Sequence, residues 1–119
     1  MSDEQAIQAV VHLYVDGMTF ANAPALKKAL HPQVSIIGNY QGGVEWMSRD
    51  DFIAEVVATG PAPPDTQPLM DIAAIDITGD AASVKVTDEF AGARFTDYLS
   101  LLKIDGRWAI VNKLYSLQS

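Results

Sequence analysis

Residues 93–119 read ARFTDYLSLLKIDGRWAIVNKLYSLQS, two long runs of strand-forming residues joined at Asp105-Gly106. An Asp-Gly pair accepts the positive φ angles of a two-residue type I′ turn, so it fixes a hairpin and its register. With Ile104 opposite Arg107, Leu101 falls opposite Ile110, Leu99 opposite Asn112, and Asp97 opposite Leu114. Side chains alternate along a strand, which puts Phe95, Leu99, Leu101, Trp108 and Ile110 on one face with two polar residues, Asp97 and Asn112. That face reads as the wall of a core or pocket. Thr96, Tyr98, Ser100, Val111, Lys113 and Tyr115 are expected on the other face, as a surface or subunit contact.

Upstream of the hairpin the chain is nearly all strand from Leu69: LMDIAAIDI, a turn at Thr78-Gly79-Asp80, AASVKVTDEF, and a turn around Ala91-Gly92-Ala93. Ala82, Val84, Val86, Asp88 and Phe90 share a face, so an acid stands where the pattern calls for an apolar residue. A tight turn at Ala91–Arg94 brings Asp88 opposite Asp97, whereas a bulge at Gly92 slides them apart by two residues. Face to face, the two acids would share one proton. Asp88 is nevertheless read as a rim residue in water. Asp71 falls beside Asp88 by the same count.

The first half is helical. Ile7, Val10, Val11, Tyr14 and Met18 form one apolar stripe over residues 3–20, with Ser2 or Asp3 to cap it. Asn22-Ala23-Pro24 breaks this helix, APALKKALH makes a short second one, and His31-Pro32 ends it. VSIIG (34–38) is a short strand, 38–43 a glycine-rich connection around Tyr40, and VEWM (44–47) an extended return. Ser48 opens a third helix, RDDFIAEVVA, and TGPAPPDTQP (59–68), with four of the six prolines, is a loop. Three helical segments before an antiparallel meander make a single α+β domain over residues 1–119, helices packed on a strongly bent sheet.

The chain of 119 residues has no cysteine, which excludes disulfides, thiol catalysis and zinc–thiolate sites. A net charge of −7, with no basic cluster beyond Lys27-Lys28, repels nucleic acid and anionic lipid. The acidic start MSDEQAIQAV lacks a signal-peptide pattern, so a cytoplasmic protein is the expectation. There is no HxxxH spacing and no phosphate-loop pattern, and neither metal nor cofactor is expected.

VVHLYVDGM (10–18), ALHPQVSIIGNYQGG (29–43), TGDAASVKV (78–86) and FTDYLSLLKIDGRWAIVNKLY (95–115) together resemble the ketosteroid-isomerase-like superfamily, the nuclear transport factor 2 fold. The narrower likeness is to small bacterial proteins labelled "putative lumazine-binding". The resemblance implies a cone-shaped, cystatin-like roll around a pocket, and a homodimer through the outer sheet face, here Tyr98, Val111, Lys113 and Tyr115. Ketosteroid isomerases pair a first-helix tyrosine with a protonated aspartic acid as an oxyanion hole, and a second aspartate is the base. Tyr14 matches the tyrosine by its place in the helix, and Asp97 is similar to the protonated acid in strand and face. The base's place is taken by Gly38 and Asn39, neither of which abstracts a proton.

The expected function is a pocket for a compact apolar or aromatic ligand, with Tyr14, Asp97 and Asn112 as polar contacts and Trp46, Phe95 and Leu99 as walls. One alternative is a cofactor-independent isomerase, cyclase or dehydratase acting beside a carbonyl. In it Tyr14 and Asp97 stabilise an enolate, and His31 or Asp88 moves the proton. The other alternative is a dimeric assembly module with a closed pocket.

Overall fold

Ser2 opens the first helix through a capping box: its hydroxyl accepts from the Gln5 amide at 3.1 Å, and the Gln5 side chain accepts from the Ser2 amide at 3.0 Å. The computed structural model describes residues 1–118. It contains three helices, α1 (Asp3–Thr19), α2 (Ala23–Ala29) and α3 (Arg49–Thr59), and six strands, β1 (Leu30–Tyr40), β2 (Gly43–Met47), β3 (Met70–Thr78), β4 (Ala81–Phe90), β5 (Ala93–Ile104) and β6 (Arg107–Leu117). Asn22 and Ser48 cap α2 and α3. The strands form one sheet in the order β2-β1-β6-β5-β4-β3, antiparallel throughout except for the parallel β1–β6 pair. This is the expected α+β architecture, helices on one face of a mainly antiparallel sheet.

β1 is longer than expected, because strand geometry begins at Leu30 and already includes His31-Pro32. Leu30 pairs with Ile110 and Ser35 with Asn112, so residues 31–34 bow out of the ladder. Asp105 and Gly106 both adopt positive φ, 51° and 77°, as a type I′ turn requires. Gln41-Gly42 and Ala91-Gly92 do the same, making three two-residue hairpins of one kind.

The core lies between α1 and the sheet's inner face. Ile7, Val11, Val15 and Met18 pack there with Leu26, Ile36, Val84, Leu99 and Ile110. α2 approaches α1 so closely that a Cβ on Gly17 would stand 2.7 Å from Leu26 Cγ. Only a glycine in α1 permits that approach.

Candidate functional site

A single bulge decides which residues face inward. From the Asp105-Gly106 turn to Leu101–Ile110 the β5–β6 register is the expected one, but Ser100 then pairs with Asn112, leaving Val111 extra on β6. One extra residue reverses the facing of everything beyond it. Lys113 and Tyr115, expected on the outer face, are therefore buried on the inner one, opposite Leu99 and Asp97. Asn112, expected as a pocket contact, turns to the outer side beside Ser100, and Leu114 is exposed there with Tyr98.

The corrected register lays one row of residues across the whole sheet: Glu45, Gly38, Tyr115, Asp97, Val86 and Ile72. The neighbouring row contains Met47, Ile36, Lys113, Leu99 and Val84. Asp88 pairs with Phe95, two residues along from the Val86–Asp97 pair, so the two acids are diagonal neighbours on the inner face. Asp88 is not a rim residue. It is 1 % exposed and Asp97 0 %, because α1 packs over β3, β4 and β6 and sets Tyr14 on Asp97. Asp71 pairs with Thr87 and is exposed, since a bulge between Ile72 and Ala74 shifts β3 by one residue.

Tyr14, fully buried in α1, donates from its hydroxyl to Asp97 Oδ2 at 3.3 Å. Burial and the nearby Asp97 and Asp88 carboxyls hold the Tyr14 phenol well above its ordinary range, so it remains a donor. Asp97 Oδ1 and both Asp88 oxygens are buried and have no donor if both acids are ionised. A proton on Asp88 repairs this by bridging to Asp97. Burial, then the hydrogen bond and the charge of Asp97, push the Asp88 carboxyl up to about 9, against the opposing pull of Lys113. Among the described residues the other Asp88 oxygen, an acceptor, is then left without a partner.

Lys113 Nζ sits among three aromatic rings, 4.7 Å from the centroid of Phe52, 5.1 Å from Tyr14 and 5.4 Å from Tyr115. Tyr115 stands edge-on to Phe95, centroids 5.6 Å apart, and its hydroxyl donates to Glu45 Oε1. Burial and that bond to Glu45 raise the Tyr115 phenol. Its ring also lies over Gly38, where a Cβ would come within 2.6 Å of it. Gly38 thus makes room for a tyrosine.

A half-open cavity of about 30 Å³ is lined by Asp88, Lys113, Tyr115, Tyr40, Phe52 and Phe95 together with Met18, Phe90, Glu45 and Glu55. That volume holds a water molecule or a carbonyl oxygen. Met18 and Phe90 also line a larger cleft of about 390 Å³ beneath the proline-rich loop, walled by Pro61, Pro63, Pro68 and Leu69. The Ala62 amide donates to the Thr19 carbonyl at 2.8 Å and ties this loop to the end of α1. Glu55, at the edge of the small cavity, has its carboxyl raised by burial and by the charge of Glu45.

Of the residues expected at the site, Tyr14 and Asp97 meet through their hydrogen bond but do not line the small cavity, Phe95 does line it, and Leu99 pairs with Lys113 as core. Trp46 does not contribute a wall, because it lies between the inner-facing Glu45 and Met47 and so points to the outer face, 72 % exposed. His31 is remote from the acids. Its Nδ1 accepts from the Gln33 amide at 3.0 Å, and it borders a separate groove with Leu13 and Arg107. Lys113, Tyr115, Glu45 and Glu55 escaped the sequence reading. The acid pair was itself a signal for a buried cation, and Lys113 is the lysine whose charge reaches Asp88 in the fold.

Replacing Tyr14 with Phe removes the donor to Asp97 while keeping the ring. The expected cost is about 1–3 kcal/mol, the range for a buried acceptor left unpaired, read as a lowered urea midpoint.

Three helices on this mainly antiparallel sheet, with polar groups gathered on its inner face, define the nuclear transport factor 2-like class. A nuclear transport factor 2-like protein of unknown function from Silicibacter pomeroyi is 36% identical, with 99% of this chain and 100% of that one covered at a TM-score of 0.91. A second, from Shewanella baltica, is 27% identical over 100% and 98% of the two chains, TM-score 0.87. The chain belongs to the family described as "Putative lumazine-binding", which it matches over residues 2–116. Among curated proteins, "Aldolase FrzH" from a Cladobotryum species is 25% identical over 114 residues, 96% of this chain and 90% of that protein. No helix among the described residues is long and apolar enough to cross a membrane.

Proposed function

We propose that this protein binds a compact carbonyl compound across the two adjoining cavities and carries out acid/base chemistry beside its carbonyl without a cofactor. The observation that carries the reading is the buried acid pair, which leaves one Asp88 oxygen unpartnered at a cavity the size of a carbonyl oxygen. In this reading the one proton of the acid pair turns from Asp97 to the ligand oxygen when the ligand enters, Asp88 donating it, and the hydrophobic body occupies the proline-roofed cleft. Glu55 is the base: its raised carboxyl borders the same cavity, where the ligand's α-carbon would lie. Likeness to a protein named an aldolase supports carbonyl chemistry, since an aldol step begins with an enol or enolate. The family's description supports a flat, carbonyl-bearing heterocycle as a further ligand.

The test is solvent deuterium exchange into phenylacetone, with binding followed by NMR for both phenylacetone and lumazine. Wild type is expected to shift the resonances of Phe95 and Tyr115 and to accelerate exchange, and Asp88→Asn to lose the acceleration. Exchange at the buffer rate with unshifted cavity resonances would overturn the reading.

We further propose that a second copy of the chain covers the outer sheet face. Tyr98, Leu102 and Leu114 are exposed there, and light scattering distinguishes dimer from monomer.

A further inference from the structure

We infer that Lys113 is an amine nucleophile that forms an imine with the aldehyde or ketone entering the cavity. This rests on the carbonyl-binding reading above and names the covalent step that reading lacks.

Lys113 is unlike the other lysines of the chain. Its side chain is buried, 6 % exposed, whereas Lys27, Lys28 and Lys85 are exposed and Lys103 is paired with Asp3 at 3.0 Å. Among the described residues no carboxylate oxygen lies within 4.0 Å of Lys113 Nζ. Its one hydrogen-bond acceptor among the described residues is the Met18 sulfur at 3.8 Å. A thioether is a weak acceptor, so the amine is held by three rings rather than locked in an ion pair. It also faces the same small volume as Asp88. An amine and a neutral acid converging on one carbonyl-sized space are the two groups that imine formation needs.

The step balances with those groups and water. The ammonium first gives a proton to water, and the Nζ lone pair attacks the carbonyl carbon as the C=O π pair moves to oxygen. That oxygen takes the Asp88 proton, and Asp88 recovers one from the new N–C adduct. The adduct's hydroxyl then takes up a proton and leaves as water while nitrogen forms the C=N bond. Overall, one ammonium and one carbonyl give one iminium and one water, and no oxidant or reductant is consumed.

A structural role alone would make Lys113 a cationic plug for the aromatic cage. Incubation of the whole protein with butanone and sodium cyanoborohydride, which delivers hydride to an iminium carbon, separates the two. Peptide mass mapping is expected to find the butyl label on Lys113 about tenfold or more faster than on Lys27, Lys28, Lys85 or Lys103. Asp88→Asn is expected to slow labelling at Lys113 alone. Lys113→Arg keeps a cation in the cage, and should lose the label while retaining the butanone-induced shifts of Phe95 and Tyr115. Labelling of Lys113 no faster than the other lysines overturns the proposal. If butanone still shifts the cavity resonances in that case, carbonyl binding stands and only the imine falls; if it does not, both fall.

Discussion

Raising the pH from about 5 to about 9 is expected to destabilise the protein, and Asp88→Asn is expected to remove most of that loss. The Asp88 carboxyl ionises near 3.8 in an unfolded chain but is held up to about 9 in the fold, chiefly by burial and then by Asp97. Between those values the native state carries a proton that the unfolded state has lost, so stability falls as pH rises. The slope approaches about 1.4 kcal/mol per pH unit, the value for one proton. The contribution is fully present below pH 3.8 and is lost as the pH climbs through the folded value. Glu55 acts in the same direction from its ordinary range near 4.5, though its greater exposure weakens the effect. Asp3 acts oppositely and only in acid, because its hydrogen bonds from Trp108 and Lys103 lower its carboxyl. The raised phenols of Tyr14 and Tyr115 stay neutral across the whole window. An asparagine at position 88 cannot ionise and can still donate to Asp97. Urea unfolding at several pH values should therefore show a sloped wild type and a nearly flat variant.

Gly38→Ala is expected to cost about 1–3 kcal/mol, the usual range for overpacking, and to disorder the wall of the site. The added methyl would stand 2.6 Å from the Tyr115 ring, which is backed by Phe95 and lies 5.4 Å from the Lys113 ammonium. The ring must move, and its hydroxyl then loses Glu45. Gly43→Ala is the matched control. A methyl on Gly43 would meet nothing within 4 Å, so that substitution should be nearly neutral. A lower urea midpoint for the first variant alone, with altered Tyr115 ring signals, is the expected pattern.

Asp88→Asn and Gly38→Ala probe parts of the site that the sequence revealed unequally. The Asp105-Gly106 hairpin was legible because its turn chemistry is local, and so were the helix caps at Ser2 and Ser48. The shared inner face of Asp88 and Asp97 followed from strand alternation, since an acid among Val84, Val86, Phe95 and Leu99 breaks the apolar pattern. Their burial did not follow, because it depends on α1 packing over β3, β4 and β6. Lys113 and Tyr115 were hidden for a sharper reason. The extra residue at Val111 carries no glycine or turn signal, yet it inverts every facing beyond it. The same kind of shift between Ile72 and Ala74 moved Asp71 away from the acids. Trp46 was misplaced because an aromatic beside a glycine run looks like a lid, whereas strand alternation points it to the outer face, in solvent.

The proposed chemistry depends on the proton that Asp88 shares with Asp97. Carboxyl-carbon NMR of the wild type, with Asp88→Asn and Asp97→Asn to assign the signals, measures it directly. The prediction is an Asp88 resonance at its neutral position through pH 7, moving only near 9, and moving at lower pH once Asp97 is replaced. An Asp88 signal that titrates near 4 in the wild type would contradict the shared proton, and with it the neutral acid that donates to the ligand.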